Sequence, residues 1–156
     1  MKKIVIIGLF LFSLSVTVNA QDSTNSSHAT LNWEQDFNNA KSMSKLGEKP
    51  ILIFFTGSDW CGPCKMLVSD FFESEKFQQI AQKEFILYEA NFPRNKELVS
   101  DLQITDNTKL KKKYKVTSFP TVIIVNANGK ILAKRKGYNL MRDTSYYFDL
   151  IDSVLK

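Results

Sequence analysis

Cys61 and Cys64 are the only cysteines in a chain of 156 residues, and they stand in the string Trp60-Cys61-Gly62-Pro63-Cys64-Lys65. A bridge between them closes so short a loop that it removes only about 2 kcal/mol of unfolded-chain entropy, against about 3 kcal/mol for a fifteen-residue loop. Stability is a poor reason for the pair, and chemistry is a better one. Pro63 suits the first turn of a helix, where its missing N–H is no loss. A cysteine at the mouth of that helix meets unpaired N–H groups and the positive end of the helix dipole, which favour its thiolate, while a second cysteine one turn inside can attack a mixed disulfide. The spacing points to Cys61 as nucleophile and Cys64 as resolving thiol in thiol–disulfide exchange.

The remaining composition removes other chemistries. With 21 Lys+Arg, 16 Asp+Glu, 44% apolar and 24% charged residues, the chain is one folded domain rather than a disordered one. Two cysteines exclude a multi-disulfide framework. The single histidine, His28, excludes metal sites that need two imidazoles, and two sulfurs without further ligands hold a metal poorly, so neither a metal nor another cofactor is expected. A formal charge of +5 is too small to argue for nucleic acid.

Lys2 and Lys3 precede an apolar run from Ile4 to Val18, and Val18-Asn19-Ala20 places small residues where a signal peptidase cuts. Residues 1–20 therefore read as a signal peptide, cleaved after Ala20, of an exported, periplasmic protein; such a run rises only about 22 Å, short of the roughly 30 Å hydrocarbon core that an uncleaved anchor would have to cross. Residues 21–30 are polar without periodicity and read as a flexible leader. His28 lies in it as a solvated residue, and Asn25-Ser26-Ser27 fits a glycosylation acceptor pattern. Residues 31–156 are left as the folded domain.

That domain alternates helical and strand patterns, which implies an α/β layer architecture. Trp33, Phe37, Ala40, Met43 and Leu46 approximate one helical stripe, with Asn32 and Gln35 to cap it and Gly47 to end it. Ile51 to Phe55 is apolar on both faces, as a central strand must be. The cysteine helix continues through Met66, Leu67, Phe71 and Phe72; a second helix, Glu75 to Gln82, is capped by Ser74 and leads into a strand from Phe85 to Asn91. Phe92 to Asp106 reads as a loop with at most one helical turn, followed by a helix from Asn107 to Tyr114. Asn128-Gly129 joins strands Val122–Val125 and Lys130–Lys136 in a hairpin, and Asp143 to Leu155 forms the last helix, with Tyr147, Leu150, Ile151, Val154 and Leu155 on one stripe.

These residues together resemble the thioredoxin family: the Trp60–Lys65 string after an apolar strand, Phe119-Pro120-Thr121 in place of its cis-proline loop, and Gly129 and Gly137 in its hairpin and before its last helix. Thr56-Gly57-Ser58-Asp59-Trp60-Cys61 and Asn91-Phe92-Pro93-Arg94 resemble secreted bacterial thioredoxin-like proteins more narrowly. The resemblance spans about residues 33 to 156. It implies a thioredoxin fold, a central mixed sheet of about four to five strands flanked by helices. It also implies that Pro120 is cis against the cysteine pair, that the backbone of Phe119 offers strand-like hydrogen bonds to a substrate, and that Trp60 shelters the thiols. Gly62-Pro63, the thioredoxin dipeptide, implies a low potential, hence a reductant of protein disulfides. Repeated turnover in an oxidising compartment then needs an electron donor such as a membrane thiol transporter. A monomer is expected. An oxidase or isomerase of the same fold, and a non-catalytic binding module, are the alternatives.

Two departures from the family stand out. The buried Asp that thioredoxins carry on the strand before the motif is replaced by Phe54 or Phe55, and the acid on the neighbouring strand is Glu89, a candidate proton acceptor in its stead, with Asp59 the alternative tuner. The stretch between Cys64 and Pro120 is longer than in thioredoxin, with the surplus in 92–106, and Lys109, Lys111, Lys112, Lys113 and Lys115 form a basic cluster that suits a solvated helix face or an acidic partner.

Overall fold

The strand that must deliver the cysteines, β2 (Ile51–Thr56), is buried along its whole length. In this computed structural model, which describes residues 31–156, it pairs in parallel with β3 (Ile86–Asn91) and antiparallel with β4 (Thr121–Val125). The expected signal peptide and polar leader lie outside the described residues. With β1 (Trp33–Glu34) and β5 (Ile131–Lys136) at the edges, the sheet has five strands in the order β1-β3-β2-β4-β5. Strand side chains alternate between faces, so each face receives its own core. Leu52, Phe54, Leu87, Val122 and Ile124 meet α2 (Gly62–Leu67), α3 (Glu75–Glu84) and α5 (Ser145–Leu155) on one side. Ile51, Ile53, Phe55, Tyr88, Ile123 and Val125 meet α1 (Phe37–Gly47) and α4 (Asp101–Lys113) on the other. Each large side chain buried in this way contributes about 1.5–3 kcal/mol, so the apolar run of β2 is what holds the two layers together. The expected mixed sheet flanked by helices is the observed one.

The local signals explain most boundaries. Ser74 caps α3, its Oγ accepting the Phe77 N–H at 3.3 Å. Asn128-Gly129 makes the turn between β4 and β5, where Gly129 has φ +76° and Asn126 Oδ1 accepts two backbone N–H groups; a side chain at Gly129 would be strained. The cysteine helix runs on from α2 into a π-helical turn at Val68–Phe72, which carries Phe71 and Phe72 into the core. Past β5, Gly137 donates its N–H to the Pro120 carbonyl at 2.8 Å, and the loop that follows is tied back to Asp70, which accepts the Tyr138 hydroxyl at 2.7 Å and the Arg142 Nε–H at 2.8 Å.

Five expectations are corrected. Trp33 belongs to β1, paired with Leu87, and not to the first helix; α1 begins at Phe37 under an Asp36 cap that accepts the Asn38 N–H at 2.7 Å, while Asn32 hydrogen-bonds Glu34 instead. Leu46 is 88% exposed and Ser44 is buried in its stead, because its hydroxyl finds the Lys49 carbonyl. The left-handed residue that ends α1 is Glu48 at φ 53°, not Gly47. Finally, α4 starts at Asp101, six residues before the expected start, under a capping box between Ser100 and Gln103. Leu155, expected on the buried stripe of α5, is exposed.

Candidate active site

Gly57 begins the turn that brings β2 to the cysteines. Its carbonyl accepts the N–H of Trp60 at 3.1 Å and of Cys61 at 2.8 Å. A Cβ on Gly57 would lie 2.3–2.6 Å from the Trp60 indole, so only glycine lets that ring fold back over the turn. Cys61 is then the N-cap of α2, its Sγ accepting the Cys64 N–H at 3.3 Å, with Pro63 in the first turn and Gly62 facing open space. The two cysteines are joined by a disulfide with Cα atoms 5.2 Å apart; Cys61 is 4% exposed and Cys64 1%. A cap position gives that sulfur the donors and dipole that an anion needs.

The rim is built from three loops. Trp60, 40% exposed, donates its indole N–H to the Phe92 carbonyl at 2.9 Å and has its ring 5.9 Å from that of Phe119. Phe119 in turn stacks on Phe92 at 5.2 Å. The Phe119–Pro120 peptide is cis, and Thr121 closes the loop by donating its hydroxyl to the Ser118 carbonyl at 2.7 Å. Among the described residues, nothing hydrogen-bonds the N–H or the carbonyl of Phe119. A substrate chain can use both groups.

Asp59 is taken up by the loop after β3. Its carboxylate accepts the Arg94 N–H at 3.0 and 2.9 Å and the Asn95 N–H at 2.9 Å, and these bonds, that from Asn95 foremost, hold it below the usual carboxylate range. Asn91 fastens the same loop from β3, accepting the Ser58 N–H at 3.0 Å and donating to Ser58 Oγ at 2.8 Å. Behind it Asn107 on α4 donates to the Asn91 carbonyl at 2.8 Å and accepts the Tyr88 hydroxyl at 2.7 Å. The residues after β3 are thus part of the rim. Asn91, Phe92, Arg94 and Asn107 were not singled out from the sequence as site residues. The signals for them were the Asn91-Phe92-Pro93-Arg94 string, read as a family resemblance without a role, and an acid beside the cysteine motif.

Phe54, not Phe55, faces the cysteine side of the sheet, and it is the register partner of Glu89. Glu89 is half-buried, and burial pushes its carboxyl above the usual range. It lines a pocket of about 300 Å³ with Trp33, Phe54, Val68 and Phe72, whose wall includes neither cysteine. The structure therefore gathers Trp60, Cys61, Gly62, Pro63 and Cys64 with Phe119, Pro120 and Thr121 on the two loops described, while Glu89 sits beside Phe54 in the wall of that pocket, on the cysteine face of the sheet. Of the basic cluster, Lys111 alone lies over rim aromatics, 5.3 Å from the Phe92 centroid and 5.5 Å from that of Phe119. Among the described residues no group of three or more His, Cys, Asp or Glu could hold a metal, and no helix is long and apolar enough to cross a membrane.

A family profile described as a thioredoxin-like domain matches residues 37–145. The chain is 36% identical over 116 residues to the disulfide bond reductase DsbH of Chlamydia pneumoniae, covering 74% of this chain and 69% of that one. It is 30% identical over 127 residues to the thioredoxin-related protein DsbJ of the same organism, covering 81% of this chain and 36% of DsbJ. A solved DsbH oxidoreductase superposes with a TM-score of 0.75 at 31% identity, over 88% of this chain and 93% of its own. A putative disulphide-isomerase from Bacteroides thetaiotaomicron shares the fold, with a TM-score of 0.57 at 20% identity over 81% of this chain and 93% of its own. With a cysteine pair capping its helix beside a cis-proline loop, the chain belongs to the thioredoxin-like family and is a thiol–disulfide oxidoreductase.

Proposed function

We propose that this protein is an exported reductant of protein disulfides in the bacterial periplasm, freed of its signal peptide after Ala20 and acting as a monomer. The observation that carries the reading is the placement of Cys61 Sγ at the N-cap of α2, within reach of the Cys64 N–H and shallower than Cys64. In the reduced protein the Cys61 thiolate attacks one sulfur of a target disulfide, forming a mixed disulfide and releasing a target thiolate. Cys64, deprotonated, then attacks Cys61; the second target thiolate leaves, and the Cys61–Cys64 bond carries the two electrons' worth of oxidation. Glu89 takes the proton of the resolving thiol in this scheme, at a pKa that burial has raised. The free Phe119 N–H and carbonyl hold the substrate main chain beside Pro120, and Trp60 covers the thiols. The pair itself is the redox group, and a membrane thiol transporter is the donor that restores it. The name of the Chlamydia pneumoniae relative, a disulfide bond reductase, supports the reducing direction.

Trapping separates the two cysteines. Cys64→Ser should accumulate mixed disulfides with envelope proteins and Cys61→Ser should accumulate none; equal trapping by both would contradict the assignment. The potential of the Cys61–Cys64 pair decides direction. A value near that of thioredoxin supports the reductant, whereas one near that of a strong oxidase would reverse the flow of electrons.

A further inference from the structure

Two cations stand over the aromatic rim of Cys61. Arg94 has its guanidinium carbon 5.5 Å from the Trp60 ring, and Lys111 has its ammonium over both Phe92 and Phe119. Trp60, Phe119 and Phe92 run in series between them. Both cations are exposed, and neither has a carboxylate within 4 Å among the described residues, where the only ion pairs are Lys109–Asp106 and Arg142–Asp70. The one acid beside the motif, Asp59, has its oxygens turned onto the N–H groups of Arg94 and Asn95. Lys65 adds a third cation, its ammonium donating to the Asp59 carbonyl at 3.0 Å. The mouth of the site therefore presents positive charge on an apolar floor, and Asp59, whose carboxylate feels the Arg94 charge, lies outside ion-pair distance of it.

From this arrangement, and resting on the exchange reading above, we infer that Arg94 and Lys111 make the site selective for disulfides flanked by acidic residues in the substrate polypeptide. A chain that seats its sulfur on Cys61 must lie across the floor formed by Trp60 and Phe119. Asp or Glu near that sulfur then meets Arg94 or Lys111 without displacing any partner of theirs, while Lys or Arg meets like charge. The loop backbone is fixed, Arg94 donating its N–H to Asp59 and Asn91 accepting that of Ser58 below, and the Trp60 ring seats the guanidinium. Exposed pairs act weakly one at a time, but complementary charge at an encounter surface raises association rates.

The test compares three disulfide-bonded peptides of one core sequence whose flanking positions carry Glu, Gln or Lys. Each rate with the reduced protein is divided by the rate of the same peptide with dithiothreitol, so that intrinsic reactivity cancels. The expected order in kcat/KM is Glu, then Gln, then Lys, with roughly 3- to 10-fold between the extremes, narrowing at high salt as screening sets in. The double variant Arg94→Glu/Lys111→Glu should reverse the order, whereas Lys112→Glu, exposed on the same helix, should keep it. Because ratios are read, a variant with impaired folding lowers all three rates together and still reports. Equal normalised rates for the three peptides, or an unchanged order in the double variant, overturn the charge selection while leaving disulfide reduction standing. Failure to reduce any peptide overturns the exchange reading itself, and the selection with it.

Discussion

The two sides of the sheet are built on different principles. The side that carries the cysteines is packed with rings: Phe71 lies 4.6–5.3 Å from Phe72, Phe77, Phe148 and Tyr147, and Phe72 touches Trp33 and Phe54. The opposite side carries a polar relay through the core, from Tyr88 through Asn107 to the carbonyl of Asn91, and on to Ser58. Rings fill volume and exclude water without prescribing one partner, whereas hydrogen bonds in a buried setting fix a single arrangement. Cys64 is thus kept dry by one side, and the loop that frames Cys61 is positioned by the other.

Removing a ring should do the most damage. Phe71→Ala is expected to cost about 3–5 kcal/mol of stability, read as the denaturant midpoint of the oxidised protein, with the loop geometry intact in whatever fraction stays folded. A loss below about 1 kcal/mol would mean that the ring layer is not the principal support. Asn107→Ala should cost less, about 1–3 kcal/mol, because it leaves the Tyr88 hydroxyl and the Asn91 carbonyl buried without partners. It should also quench the contrast between the sides by changing the Trp60 fluorescence, since the Phe92 carbonyl that holds the indole belongs to the same loop. A Trp60 spectrum identical to wild type would separate the relay from the site.

Two carboxylates on the ring side sharpen the comparison through pH. Burial raises the Glu89 carboxyl, so the folded state favours its protonated form; that contribution is whole below the ordinary carboxylate range and is lost as pH rises through the raised value. Glu89→Gln should therefore gain on wild type in stability between about pH 3 and neutrality. If Glu89 is also the proton acceptor, the same variant should shift the Cys64 titration and slow exchange; no change in either would leave Glu89 with its effect on folding alone. The smallest effect is expected at Asp70, whose carboxylate is held well below its usual range by Arg142 and Tyr138, while Tyr138 is pushed up to about 12 by burial and by Asp70. Its sign is opposite: the tie contributes above the ordinary carboxylate range and is lost as pH falls through the lowered value. Asp70→Asn should flatten the acid limb of the stability profile, and an unchanged limb would show that the tie to the loop after β5 is not felt in folding.

The same contrast explains what was legible in the sequence. Phe54 announces itself in a continuous apolar run, Phe71 and Phe72 as apolar residues continuing the cysteine helix, and Trp60–Lys65 by its residue types, so most of the cysteine side was readable apart from Trp33 and Leu155. The start of α4 was not, because its buried residues in the first turns are Gln103, Asp106 and Asn107, which a search for apolar stripes passes over. Ser100 and Gln103 did offer a capping signal there. β1 is two residues whose only reason to be a strand is a distant partner, Leu87 and Tyr88, and local pattern cannot reveal it. Leu46 and Ser44 exchanged places for a similar reason: a hydroxyl with a carbonyl to bond can be buried, and hydropathy does not know where carbonyls lie. Sequence placed Arg94 in a surplus loop and Lys111 in a row of lysines; only the fold sets both against the rim.

The sheet ends at β5, a strand exposed over most of its length that carries Lys134, Arg135 and Lys136, with Lys130 just ahead of it. An open backbone edge is a template for self-templated polymerisation, yet two such edges meeting face to face would bring several ammonium and guanidinium groups into one line. Repulsion there guards against fibre growth, and a variant stripped of those charges would be the one to watch for precipitation at high concentration.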